Sequence, residues 1–371
     1  MPETARAAVL TGPRQVEIRE FELPSIGPEE GLLRIDACGV CEADVPPFNG
    51  QGFGNSSLGM RIPVILGHEI AGTIAKVGKR AAARWGVTEG DRVILERWIP
   101  CGRCENCYIG DYRLCIRSVD GHGLFYGGSS TELAPALWGG YAEYLYLHPD
   151  TVIYPVSKHV PVEVLPLFTP LSNGISWATR VGGTRIGSTI VIQGPGQEGL
   201  GAVIASKEAG AHIIIVTGLA KDESRLKLAR ELGATATIVA DQEDVVERVR
   251  ELTVGRLADV VLDVTSGSTT EPVELSLGVA RPGGTVVWAA LHEGQRVPTL
   301  APETVIMKTL SIHGVRGRHR ESVKAALRII ESGKYPLERF CTHVLGLEET
   351  ERALKIAGRE EGEALYVVVK P

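Results

Sequence analysis

No apolar run in the chain approaches the roughly 20 residues that a membrane-spanning helix needs, so no membrane partner is expected. No basic tract is long enough to follow a phosphate backbone. Lys and Arg total 39 against 45 Asp and Glu, a net charge of -6, and nucleic acid is not the expected partner. Internal repeats and low-complexity stretches are absent too. The 44 glycines follow no collagen-like period and are left to serve turns and close backbone approaches. The opening MPETARAAVL lacks the basic flank and apolar run of a secretory signal. That points to a reducing compartment, the cytoplasm, where thiols stay free or bind metal. With 44% hydrophobic and 23% charged residues the chain reads as a soluble globular protein, and 371 residues are comfortable for two domains.

Against that background one stretch stands out, CGRCENCYIGDYRLC, which carries Cys101, Cys104, Cys107 and Cys115. Four thiolates so spaced in a turn-rich loop can converge on one tetrahedral zinc ion at about 2.3 Å from each sulfur. A closed shell of four protein ligands has no position for substrate, so this zinc is structural, the clip of a lobe at about 96–118 with little apolar surface of its own. The other reading, disulfides, needs an oxidising compartment.

The chain has two halves of different grammar. From Ala7 to about Tyr154 short β segments such as RAAVLTG, GLLRIDAC, GTIAKVG and DRVILERW are broken by Gly and Pro, which predicts a mostly β domain. From about Gly187, apolar strands (STIVIQ, AHIIIVT, ADVVLDV, GTVVWAA) alternate with helical stretches, which predicts an α/β parallel sheet covered on both faces. The expected division is 1–170 for the first domain, 171–312 for the second, and 313–371 for a return to the first. The apolar VVWAA strand near the end of the second sheet is a candidate for extension across a subunit contact.

Gly194, Gly196 and Gly199 form GxGxxG directly after a strand and at the start of a helix, where a dinucleotide pyrophosphate can lie on the helix N-terminus. A NAD-preferring site usually ends its second strand in an acid that takes the ribose hydroxyls. Here Thr217 stands there, Asp222 follows several residues later, and Lys221 and Arg225 are near enough to approach a 2'-phosphate. Equally, these charged residues can simply cap and solvate the next helix. NAD(P) is the expected cofactor, its phosphate preference open.

The motifs GVCEAD at 39–44 and GHEIAG at 67–72, followed by the cysteine quartet and the glycine turn, occur in an order and spacing that resembles the zinc-containing medium-chain dehydrogenase/reductase superfamily of alcohol, sorbitol and threonine dehydrogenases. The resemblance spans nearly the whole chain. It implies a GroES-like catalytic domain, a Rossmann doubly wound parallel sheet, and an active site in the cleft between them. It also implies a small-molecule substrate, hydride transfer between an alcohol carbon and a nicotinamide, a second zinc that polarises the substrate oxygen, and a homodimer or homotetramer. Carried over by position, it places the cysteine ligand at Cys41, the histidine ligand at His68, the adjacent acid at Glu69, and at Asp44 the carboxylate that orients the histidine. Cys38 and Cys341 match no role and read as buried thiols.

Departures from the pattern are as informative. The third ligand position of the superfamily, usually Cys, Asp or Glu, falls on Thr169 in TPLSNG, and a neutral hydroxyl is a poor zinc ligand. Either Glu69 swings in as third ligand, or Thr169 helps hold a metal-bound water, or the metal is weak or missing. Relatives carry a relay hydroxyl two residues after the cysteine ligand. Here that position is Ala43, and the next relay position is Pro46. A proton must leave through water, through Glu42 or Glu69, or through the segment that holds His122. Phe125, Tyr126 and Trp138 of that segment, with Trp177 and Trp288, are candidates to wall an apolar pocket, or else are core residues.

The leading expectation is a zinc- and NAD(P)-dependent oxidoreductase that interconverts an alcohol, expected to be secondary and largely apolar, with its ketone or aldehyde by hydride transfer. The alternative is a reductase of an activated C=C or C=N bond with altered or absent catalytic zinc, and the third reading is a non-catalytic cofactor-binding relative.

Overall fold

The computed structural model describes residues 2–51, 60–119, 123–267, 269–292, 294–297 and 300–371. His122 lies outside them. The chain forms two compact units, residues 1–168 with 327–371, and residues 169–326.

The first unit is mostly β, as its short Gly- and Pro-punctuated segments predict. A three-stranded sheet orders Gln15–Glu22, Thr4–Gly12 and Val64–Ile65. A seven-stranded sheet runs Cys341–Gly346, Tyr366–Lys370, Gly31–Val40, Glu69–Val77, Arg92–Leu95 and Ile153–Pro155, with Tyr144–Leu147 also paired to Gly31–Val40. Its core is filled by alternating inward side chains, among them Leu33, Ile35, Ile70, Ile74, Val93 and Leu145, all nearly or wholly buried. Each such side chain contributes about 1.5–3 kcal/mol by leaving water.

The register of two central strands brings the motif residues together. Gly31–Val40 and Glu69–Val77 are antiparallel, with Gly39 opposite Glu69. The residue just after the first strand, Cys41, and the residue just before the second, His68, therefore emerge at the same end. Tyr366 begins the strand on the other side of Gly31–Val40, where Val367 pairs with Val40, so it reaches that end as well.

The second unit is a six-stranded parallel sheet in the order Ala236–Val239, Ile213–Gly218, Thr189–Gln193, Ala258–Asp263, Ala280–Trp288, Ser311–Gly314. Numbered by sequence this is 3-2-1-4-5-6, the doubly wound Rossmann arrangement. Its central strands are buried on both faces, which is why IIIV and VVL are unbroken apolar runs without alternation.

Two expectations are corrected. The return to the first unit comes after Ala326, not after Ile312, because Ser311–Gly314 pairs in parallel with Ala280–Trp288 and completes the second sheet. For the same reason the VVW segment is internal, and the edge belongs to Ser311–Gly314. Among the described residues no helix is long and apolar enough to cross a membrane.

Candidate active site and cofactor site

At the shared strand end the ligand atoms of Cys41, His68 and Glu69 lie within 4.8 Å of one another. The local geometry explains how they are held. Asp44 is fully buried and accepts from His68 Nδ1 at 3.1 Å, from the Tyr141 hydroxyl at 2.8 Å and from the Cys41 backbone N–H at 3.3 Å. Burial alone raises a carboxyl pKa. Here the facing His68, with Arg97 and Tyr141, outweighs burial and holds Asp44 below the ordinary carboxylate value. An ionised carboxylate can only accept, so Nδ1 carries the proton and Nε2 presents its lone pair for a metal. The Ala43 N–H donates to the Cys41 sulfur at 3.4 Å, a contact that favours the thiolate.

Glu69 is wholly buried and accepts a short hydrogen bond from the Tyr366 hydroxyl. Burial and the neighbouring Glu69 both push Tyr366 well above the usual phenol value, so it remains a donor. This contact needs the glycine of GVC. A Cβ on Gly39 would stand 1.8 Å from the Tyr366 hydroxyl oxygen and 2.6 Å from Glu69 Oε2. Gly67 of GHE has φ +83, and a Cβ there would meet the Tyr141 ring at 2.7 Å.

Cys41, His68 and Glu69 offer a Cys, His and Glu donor set with a fourth position open, which could hold a catalytic zinc. Thr169 falls in the second unit, where it is buried and its hydroxyl makes no hydrogen bond among the described residues. The residue that groups with Cys41 and His68 is Glu69. The relay positions stay without a hydroxyl or acid: Ala43 and Pro46 are exposed, and Glu42 turns to an ion pair with Arg359 at 3.6 Å.

Motif reading missed Arg97, Tyr141 and Tyr366, which lie far along the chain from the residues they serve. Arg97 Nη1 is 3.5 Å from His68 Nε2, and its guanidinium stacks 5.3 Å from the Trp98 ring and 5.0 Å from the Phe125 ring. A guanidinium cannot accept, so this approach independently marks Nε2 as the lone-pair nitrogen. The other aromatic candidates are structural. Tyr126 and Trp138 are buried in the core, with the Trp138 indole donating to Leu133 O at 2.8 Å. Trp177 donates to Gly317 O at 2.8 Å, and Trp288 to the Ser276 hydroxyl at 3.0 Å. Cys38 is a buried thiol with a raised pKa, and Cys341 donates to Glu163 O at 3.2 Å, its pKa pushed up by burial to about 12.

In the cysteine lobe, four sulfur atoms gather within 4.8 Å, with Cys104 to Cys107 at 3.5 Å and Cys101 to Cys107 at 4.0 Å. A tetrahedron with zinc–sulfur bonds of about 2.3 Å has sulfur–sulfur edges of about 3.8 Å, so the quartet fits. Backbone N–H groups of Ile116 and Cys107 lower the Cys104 thiol to about 6, which makes it the first thiolate of the set. The lobe exposes Tyr108 and Ile109 and contributes almost nothing to the apolar core, consistent with a segment held by its metal.

In the second unit the glycine turn sits between the strand Thr189–Gln193 and the helix Gln197–Glu208, at the point where strand order reverses. Gly194 has φ +102. A Cβ on Gly199 would lie 1.9 Å from the Gly194 carbonyl oxygen, so this glycine is required for packing. A Cβ on Gly196 meets nothing within 4 Å, which is the open cradle that a pyrophosphate can fill. Thr217 is buried, and the last residue of its strand is Gly218, where a Cβ would press on the Pro195 ring at 2.9 Å. No acid stands at the strand end. Asp222 accepts from the Leu219 N–H at 3.0 Å and lies 3.8 Å from Arg225, which ties Arg225 into the helix start, while Lys221 is exposed.

Comparison with known proteins agrees with this arrangement. Residues 27–158 match the alcohol dehydrogenase GroES-like domain, and residues 199–332 match the zinc-binding dehydrogenase domain. A Mycobacterium tuberculosis protein named as a probable alcohol dehydrogenase is 40% identical over 364 residues, covering 96% of this chain and 95% of its own. The chain belongs to the zinc-containing medium-chain dehydrogenase/reductase superfamily. Sorbitol dehydrogenase of Bacillus subtilis is 32% identical, covering 100% of this chain and 98% of its own. Among solved structures, an alcohol dehydrogenase from Thermotoga maritima superposes with a TM-score of 0.87 at 28% identity, covering 99% of both chains. A Sinorhizobium meliloti protein described as a zinc-binding dehydrogenase, with NADP bound, gives 0.85 at 25% identity, covering 100% of both. This medium-chain dehydrogenase is thus an NAD(P)-dependent oxidoreductase of the zinc-binding alcohol and polyol dehydrogenase type, with zinc and NAD(P) as its cofactors.

Proposed function

We propose that this enzyme interconverts a secondary alcohol with its ketone, Cys41, His68 and Glu69 holding the catalytic zinc. The observation that carries the proposal is the convergence of those three side chains at one strand end, with Asp44 fixing the imidazole so that Nε2 is the ligating nitrogen. When bound, zinc polarises the substrate oxygen and the nicotinamide takes or gives the hydride. Trp98 and Phe125 lie close to the same imidazole through Arg97 and favour a substrate whose remainder is largely apolar.

Neither Ala43 nor Pro46 can pass a proton, and Glu42 is engaged with Arg359, so the alcohol proton leaves to solvent directly. This predicts a kcat that responds to small exogenous bases in the buffer. The missing acid at the end of Ile213–Gly218 and the exposed Lys221 favour NADP(H) over NAD(H), and the ratio of kcat/KM for the two cofactors tests this. The seven cysteines, none of them in a disulfide, suit the cytoplasm, and the exposed edge strand Ser311–Gly314 suits pairing with a second copy in a homodimer or homotetramer.

The deciding experiment is turnover of a panel of secondary alcohols and ketones by zinc-loaded protein and by Cys41→Ser. Activity lost in the variant along with one of two zinc ions supports the proposal. An inert wild type that still reduces enones or iminium ions would replace it with the reductase reading.

A further inference from the structure

Tyr366 opens the strand Tyr366–Lys370, and its side chain is buried. Its backbone is pinned on both sides. The Thr342 hydroxyl donates to Tyr366 O at 3.2 Å and accepts the Leu365 N–H at 3.1 Å, while Val367 pairs with Val40, the residue before Cys41. Three neighbouring strands lie in the order Tyr366–Lys370, Gly31–Val40, Glu69–Val77, so the Tyr366 hydroxyl reaches Glu69 Oε2 by crossing the strand between them. Strands two apart are separated by about 10 Å, a span that a phenol on one and a carboxylate on the other can close. The crossing passes over Gly39, the residue opposite Glu69, where a Cβ would stand 2.5 Å from the ring carbon that bears the hydroxyl. Packing alone would be served by Phe, so the hydroxyl needs a reason of its own. A buried carboxylate has to be given donors or countercharge. A Lys or Arg at this place would cancel the charge that a divalent cation uses, whereas a phenol supplies one donor and no charge.

Resting on the zinc reading of Cys41, His68 and Glu69 above, we infer that Tyr366 is a positioning residue of the metal site. Its hydroxyl sets the Glu69 carboxylate for ligation and ties metal binding to the docking of the strand Tyr366–Lys370. A donor on Oε2 restricts rotation of the carboxylate and favours ligation through its other oxygen. The oxygen ligand and the nitrogen ligand are then each oriented by a buried partner, Glu69 by Tyr366 and His68 by Asp44. The coupling is reciprocal: whatever the ion gains from a preset Glu69, the docked strand gains from the ion.

The test uses the full-length chain as wild type, Tyr366→Phe, Glu69→Gln and the double variant. The cysteine quartet is left zinc-loaded, and the Cys41 site is titrated with Zn2+ against a chromophoric chelator and with Co2+ by its visible absorption. Tyr366→Phe keeps the ring and removes only the donor. It should bind the ion of the Cys41 site about tenfold or more weakly, shift the Co2+ bands, and keep the quartet ion. A double-mutant cycle separates positioning from packing. With Glu69→Gln in place, Tyr366→Phe should have almost no further effect on affinity, because the carboxylate that it positions is gone. Losses of equal size in both backgrounds would overturn the inference, as would unchanged affinity in Tyr366→Phe. A wild type that holds one ion only, in the quartet, would refute the zinc reading and the inference with it; a second ion indifferent to Tyr366→Phe would refute the inference alone. If a variant does not fold, amide exchange of the wild type decides. Loading the Cys41 site should slow Val367–Val369 more than Val93–Leu95 of the same sheet, and equal slowing, or none, refutes the coupling.

Discussion

His68 and Asp44 are joined Nδ1 to Oδ1 at 3.1 Å inside a buried pair, and Tyr141 holds the other carboxylate oxygen at 2.8 Å. The carboxylate fixes both the tautomer and the orientation of the ring, so its removal is felt at the metal. Asp44→Ala should lower zinc affinity at the Cys41 site by about 10–100-fold and leave the ion of the cysteine quartet in place. Chelator competition followed by metal analysis checks this. Loss of both ions together would mean that the variant has unfolded.

The two glycines of the cofactor turn should separate folding from binding. Gly199→Ala drives a methyl against the Gly194 carbonyl, whereas Gly196→Ala adds one to open space. Gly196→Ala should therefore melt at the wild-type temperature yet bind NADPH about tenfold or more weakly, as a Cβ enters the volume kept for the pyrophosphate. Gly199→Ala should lose several degrees in melting temperature even without cofactor. Fluorescence titration and thermal melts, run side by side, distinguish the two effects.

Cys104→Ser removes the most acidic thiol of the quartet. With little apolar core of its own, the lobe should lose its ion and its order, and limited proteolysis should cut between Pro100 and Ile116 in the variant before it cuts the wild type. Zinc content should fall by one ion per chain, and the Cys41 site should keep its own.

Much of the fold and of the two donor clusters is legible in the sequence because the informative residues are local. GxGxxG lies across one strand-turn-helix, the four thiols fall within one short loop, and GVC and GHE flank paired strands. What escapes a linear reading depends on register and distance. Tyr366 reaches Glu69 only because its strand pairs with Gly31–Val40, and Tyr141 reaches Asp44 across 97 residues. Arg97 carries no motif at all. Its significance comes from a single bridge between Trp98 and Phe125, which no periodicity announces. The second boundary reads too early because Ser311–Gly314, a short strand of mixed polarity, gives little signal until it is seen as the sixth strand of the sheet. The fate of the tryptophans is equally hidden, since an indole in a core and an indole in a pocket are the same letter.

A pH-dependent weakness should reside in the second unit, at Asp259. Its carboxylate accepts the Thr189 N–H at 2.8 Å and Arg281 Nε at 2.7 Å, binding the start of one central strand to the start of another. Burial works to raise the carboxyl pKa, but the Thr189 N–H and Arg281 outweigh it and leave the group below its ordinary value. A carboxylate depressed in the folded state binds fewer protons there than in the unfolded chain. Its contribution is thus complete above the unfolded value near 3.8 and is lost as pH falls through the still lower folded value. The side chain is part-exposed and solvent screens the pair, so the contribution is about 1 kcal/mol, or roughly 2–4 °C for a unit of this size. Asp259→Asn should melt lower than wild type by that amount at pH 7, and the gap should close as the pH is taken below the native carboxyl pKa. A gap that stays constant across the acid range would show that the cost of the substitution lies in geometry and not in charge.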